Sequence, residues 1–182
     1  IPIGFNFEFF GTTYTDLFVS NHGLITFGTG NVAFTNDTLT GGTVTQAAIA
    51  PLWDDWVTDQ NASDAVYAEV IQDPNNLLFR QLVVRWELVP QSFGNSGPVT
   101  FEAVLSEIDN SIQFNYIDLD ASNPAFDNGA SATVGIKDVG PQGIDRLLVS
   151  FNDGTNPLIT SGSSIQLTPP TGTSEVTVTR NT

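Results

Sequence analysis

Apolar and polar residues alternate along most of this chain, the period of an extended strand with one buried face. Ile1 to Phe10 sets Phe5, Phe7 and Phe9 on one side and Asn6 and Glu8 on the other. Gly11-Thr12-Thr13 breaks that run. Leu17-Phe18-Val19 and Leu24-Ile25-Thr26-Phe27-Gly28 then flank the polar turn Ser20-Asn21-His22-Gly23, which reads as a hairpin. Residues 29–46 are rich in Gly, Thr and Asn and predict a long loop, of the kind that is usually functional or mobile. Ala65 to Ile71 predicts a strand, and Asp73-Pro74-Asn75-Asn76 a turn. In the long run Leu78 to Val89, Leu78, Leu82, Val84, Trp86 and Leu88 share a face interrupted by Arg80. Val99, Phe101, Ala103 and Leu105, then Ile112, Phe114 and Tyr116, predict a hairpin around Asp109-Asn110. Short strands follow at 132–137, 146–151 and 164–168. No segment carries sustained helical periodicity with caps.

The fold class this predicts is all-β: one antiparallel β-sandwich of about 10–12 strands over residues 1–168. Thr168-Pro169-Pro170-Thr171-Gly172-Thr173 reads as a stiff linker, 169–173. Residues 174–182 start a fresh alternation. They are expected to pair in their own sheet, to add to a neighbouring subunit's open edge through Val176 and Val178, or to begin a further domain.

Between the first hairpin and the long strands lies Ile49-Ala50-Pro51-Leu52-Trp53-Asp54-Asp55-Trp56, two tryptophans against two adjacent carboxylates. It is too short and Pro-broken for a helix and predicts a strand end entering a polar loop. Composition limits what it can do. The chain has no Cys and one His, so thiolate chemistry is excluded and His22 has no Cys to activate. A net charge of -15, from 20 acidic and 5 basic residues, makes nucleic acid and anionic lipid poor partners. No apolar run reaches the length of a membrane span. The absence of any Met, even at position 1, marks a processed or excised segment, with any signal peptide or anchor outside it.

Five segments in order resemble the nidogen-like (NIDO) extracellular domain family: Ile3-Gly4-Phe5-Asn6-Phe7-Glu8-Phe9-Phe10-Gly11; Val19 to Gly28, preceded by Tyr14; Ile49 to Asp55; Val84-Arg85-Trp86 with Thr100 to Leu105; and Ala132 to Ile136. The match covers roughly residues 1–151. The resemblance implies an extracellular β-module in matrix, mucin-like or bacterial surface proteins, one that adheres or assembles. It brings no catalytic residues to carry over.

The candidate chemistry is accordingly modest. A Ser-His-Asp site lacks any nucleophile elbow, and no HExxH is present, so no enzyme is expected. Asp54 and Asp55, with Asp59 and Asp64 downstream, offer hard oxygens for calcium; Asp54 equally suits capping of neighbouring backbone N–H groups. The loop with Asp118, Asp120, Asn123 and Asp127 has calcium-like Asp-x-Asp spacing but lacks the Gly and closing Glu of an EF-hand. Of the tryptophans, Trp53 and Trp86 suit a core, and Trp56 is the one expected at the surface as a sugar-stacking platform. Asn36-Asp37-Thr38 and Asn61-Ala62-Ser63 match the glycosylation sequon. Lys137, the only lysine, is read as a polar strand residue rather than a crosslink. The leading expectation is an extracellular, non-catalytic adhesion or assembly module, as in a surface filament joined by strand exchange. The alternative is a carbohydrate-binding module. Calcium is the only cofactor expected, and protein or glycan the partners.

Overall fold

The computed structural model describes residues 1–40, 42–77, 79–92, 96–140, 145–170 and 177–181. These residues form thirteen strands and one 3₁₀ turn, Asp127–Gly129. The strands are β1 (Pro2–Phe9), β2 (Thr12–Asp16), β3 (Phe18–Ser20), β4 (Leu24–Thr26), β5 (Ala48–Trp53), β6 (Ala65–Gln72) and β7 (Arg80–Val89). They continue with β8 (Val99–Ser106), β9 (Ile112–Asp118), β10 (Thr133–Lys137), β11 (Arg146–Phe151), β12 (Ser164–Thr168) and β13 (Thr177–Asn181). Three antiparallel sheets result: the hairpin β1-β2, a sheet ordered β11-β10-β5-β4-β3, and a sheet ordered β13-β12-β9-β8-β7-β6. This is the all-β sandwich that the alternation predicts.

The layers meet over one apolar core. Phe5, Phe7 and Phe9 of β1 point into it with Leu82, Val84 and Trp86 of β7 and Phe101, Ala103 and Leu105 of β8. The Trp86 and Phe101 rings stack with centroids 4.9 Å apart. Buried polar tips find main-chain acceptors across the layers: Trp86 Nε1 donates to the Ser20 carbonyl at 2.9 Å, and Tyr116 Oη to the Pro51 carbonyl at 3.0 Å.

Three elements depart from the sequence pattern. β2 was invisible because Thr12-Thr13-Tyr14-Thr15-Asp16 has no apolar face; it is held by pairing with β1 across the turn at Phe10-Gly11. Leu88 is expected on the inward face of β7 but is exposed, while Val89 is buried. The register to β8 shifts between Trp86 and Val89, and Leu88 takes φ 51, so a bulge swaps the two faces. Leu78, expected on that same face, lies outside the described residues. β5 is buried on both faces, not one. Leu39 and Val44 of the 29–46 loop cover its outer side and form a second apolar cluster with Leu24, Ala48, Ala50 and Trp53. At the end of the chain, residues 177–181 pair antiparallel with β12, Thr177 opposite Thr168 and Asn181 opposite Ser164, the first of the three arrangements expected for the tail. The described part of the terminal strand, Thr177–Asn181, therefore lies in its own sheet. Val176 lies outside the described residues.

Candidate functional site

β5 brings the Trp-Asp-Asp-Trp stretch to one end of the sandwich, where it meets three other loops. Asp54 N–H donates to the His22 carbonyl at 3.1 Å, and Trp56 N–H to the Asp54 carbonyl at 2.9 Å. Gly23, at φ 73, lets the first hairpin pass close to β5: a Cβ there would sit 1.9 Å from the Leu52 carbonyl oxygen. Val57 N–H donates to Pro90 and Ser92 N–H to Asp55, at 3.0 and 2.9 Å, which sews the stretch to the loop after β7.

Asp54 is only 5% exposed, and its carboxylate gathers three loops. Oδ1 accepts from the Asp55 N–H at 2.8 Å and from Gln91 Nε2 at 3.2 Å, and Oδ2 accepts from the Ser131 hydroxyl. Burial pushes its carboxyl above the ordinary range, and the Ser131, Asp55 and Gln91 donors pull it back. Asp55 is half-buried; its Oδ2 accepts from the Ser92 hydroxyl, and its Oδ1 lies 3.4 Å from His22 Nδ1. That contact lacks hydrogen-bond geometry, and Nδ1 is buried without a hydrogen bond. Burial holds the His22 imidazole below its ordinary range, against the pull of the Asp55 charge.

A Ser, an Asp and a His thus meet, but in an order that does not build a nucleophile. The Ser92 hydroxyl is donated to the carboxylate, whereas an activated serine donates to the imidazole. Asn21 Nδ2 donates to the Trp56 carbonyl at 3.0 Å, which occupies the remaining polar side chain of that turn. The cluster is a clip between loops.

Trp56 requires a correction. Expected at the surface, it is 0% exposed in the main core, with its ring 6.1 Å from that of Phe101 and Nε1 donating to the Leu52 carbonyl at 2.7 Å. It follows a tight turn that folds it back under β5, and nothing in Trp56-Val57-Thr58 announces this. Trp53 is buried too, but in the second cluster, where Nε1 donates to the Ala33 carbonyl at 2.8 Å. No sugar-stacking platform remains at this stretch.

The second acidic loop is also turned on itself. Asp118 Oδ1 accepts from Asp120 N–H at 3.0 Å, Asp120 Oδ1 from Ser122 N–H at 2.8 Å, and Asp127 Oδ1 from Asn123 N–H at 3.2 Å. The first two are Asx-type turns, a local use of Asp in loops, while Asp127 reaches back four residues. Asp64 does the same for Gln60 and Asn61 through Oδ2. Among the described residues no three of His, Asp and Glu come together to hold a metal ion.

Residues missed by sequence reasoning do the most connecting. Lys137 is fully buried, and Nζ donates to the carbonyls of Gln46, Asp138 and Gly140 at 3.0, 2.7 and 2.8 Å. Burial lowers its ammonium, and the Asp138 and Asp37 charges oppose that shift. Asn36, read as a sequon, donates to Ser131 O, Thr133 Oγ1 and Asn152 Oδ1 at 2.8, 3.1 and 2.9 Å. The 29–46 loop is therefore laced to β10 and β11. It holds Val32 and Phe34 out at 79% and 54% exposure, with the Phe34 ring 6.2 Å from His22.

No curated protein and no solved structure matches the chain. The model of a protein family described as NIDO related matches residues 1–176. With the ordered motifs, the sandwich and a match across nearly its whole length, the chain belongs to the NIDO-related family of nidogen-like domains.

Proposed function

We propose that this chain is an extracellular, non-catalytic module that works by adhesion or assembly, through contacts between folded surfaces. One observation carries the reading: the polar side chains of the signature stretch are spent on the protein's own loops. Asp54, Asp55, Ser92, Asn21 and Gln91 hold main-chain or neighbouring side-chain groups, and no hydroxyl is set against the imidazole. What this end presents instead is apolar: Val32 and Phe34 on a braced loop. Extracellular placement is supported by the family, and no helix among the described residues is long and apolar enough to cross a membrane.

The carbohydrate-binding alternative loses its stacking residue with Trp56 buried. A glycan array and a bead-adhesion assay, run side by side on the whole chain, test the choice. Chain-coated beads are expected to clump or to attach to protein-coated beads, with the glycan array silent. Binding to defined glycans without any protein contact would replace this reading with the lectin one.

A further inference from the structure

A groove of about 500 Å³ opens on the molecule near the turn between β1 and β2. Phe9, Phe10, Ile136 and Leu167 line it, and Glu8 and Asp145 bring two carboxylates; no described residue lining it is basic. Phe10 is held there at a cost. It occupies the first position of the two-residue turn Phe10-Gly11 at φ 46, a left-handed conformation that suits Gly or Asn and that bulky residues rarely adopt. Its ring meets that of Phe9 edge-on at 4.7 Å. A strained aromatic retained beside an apolar groove is a mark of a contact surface.

The chain carries the complement of this groove on its last strand. β13 ends the sheet order, so its outer edge is unpaired among the described residues. Val178 stands opposite Leu167 and Arg180 opposite Ile165, and cross-strand partners share a face. Leu167 and Ile165 are buried, but Val178 is 42% exposed and Arg180 is exposed, so β13 overhangs the facing sheet. The other basic side chains are engaged: Arg80 with Glu107, Arg85 with Glu87, Arg146 with the Thr38 carbonyl, and Lys137 inside. Among the described residues Arg180 alone of the five has no such partner.

We propose that the Val178–Arg180 edge of one copy docks in this groove of a second copy, with Arg180 against Glu8 and Asp145 and Val178 against the part-exposed Phe10. The inference rests on the adhesion and assembly reading and names its partner as a second copy of the chain. Leu167 lines the groove and stands opposite Val178, so groove and edge lie side by side and two copies meet reciprocally, each edge in the other's groove, without exchange of any strand. In a chain of charge -15, a cation without a partner among the described residues, set against two carboxylates, also fixes which surfaces can meet.

Sedimentation velocity on the whole chain, up to about 1 mM, reads a contact of this size. The wild type is expected to associate with rising concentration. Arg180→Glu alone, or Glu8→Lys with Asp145→Lys, should each weaken association about tenfold or more, and mixing the two variants should restore it. All three positions are exposed, so matching thermal melts will show that the variants are folded. A wild type that stays monomeric throughout, or an Arg180→Glu variant that associates like it, overturns the self-contact. If such monomers still adhere to another protein on beads, the inference falls and the adhesion reading stands.

Discussion

At the scale of single residues, buried polar groups explain why the loops stay in place. Lys137 satisfies its ammonium entirely with main-chain carbonyls, which ties the end of the 29–46 loop to the segment after β10. Lys137→Met keeps the volume but leaves three carbonyls without a donor. It should cost about 2–4 kcal/mol in denaturant unfolding, against less than about 1 kcal/mol for a typical exposed substitution. His22 and Asp54 give opposite pH signatures. The folded His22 titrates below its ordinary value of 6.5, so the unfolded chain binds the extra proton and stability falls as pH drops through 6.5 to the folded value. The folded Asp54 titrates above its ordinary 3.8, so the folded chain binds the extra proton and stability rises as pH drops through its raised value toward 3.8. Asp54→Asn removes only the second trend. Its stability–pH curve should therefore fall more steeply on the acid side than the wild type, by equilibrium unfolding at a series of pH values.

At the scale of elements, close approach matters as much as pattern. Gly23 lies where the first hairpin crosses β5, and Gly23→Ala would drive a Cβ into the Leu52 carbonyl at a left-handed φ. This variant should lose more than about 3 kcal/mol, read as a lowered denaturation midpoint. Most strands were legible because one face is buried: the alternation at Phe5, Phe7 and Phe9, or at Phe101, Ala103 and Leu105, fixes both the element and its inward side. Legibility failed where that condition failed. β2 has no buried face, β5 has two, and Leu88 and Val89 trade faces at a bulge set by one residue's φ. The 29–46 stretch reads only as a long polar loop because Leu39 and Val44 are scattered among Thr and Gly; only the outer face of β5 shows what they cover. At the candidate site, the capping role of Asp54 could be read from its place after a strand. Trp56 could not, since a turn that folds an indole back into the core leaves no periodic trace.

At the scale of the whole molecule, the acidic surface and the interior polar network are separate matters. The carboxylates of the Asp118–Asp127 loop each accept from their own backbone through Oδ1, and among the described residues no three acidic or imidazole groups come together. Thermal melts in calcium and in EDTA should coincide; a melting temperature that rises with calcium would contradict this. The central claim is that the Trp-Asp-Asp-Trp stretch holds the fold through hydrogen bonds, with no need of a reactive or ligand-binding charge. Thermal unfolding of Asp54→Ala beside Asp54→Asn at neutral pH tests it most directly. Asn can still accept from Asp55 and Gln91 and can donate to Ser131, so it should stay within about 1 kcal/mol of the wild type. Ala leaves those groups unpaired and should lose about 2–4 kcal/mol. Equal losses in both variants would show that the charge itself is required, and the account of this stretch as a structural clip would be wrong.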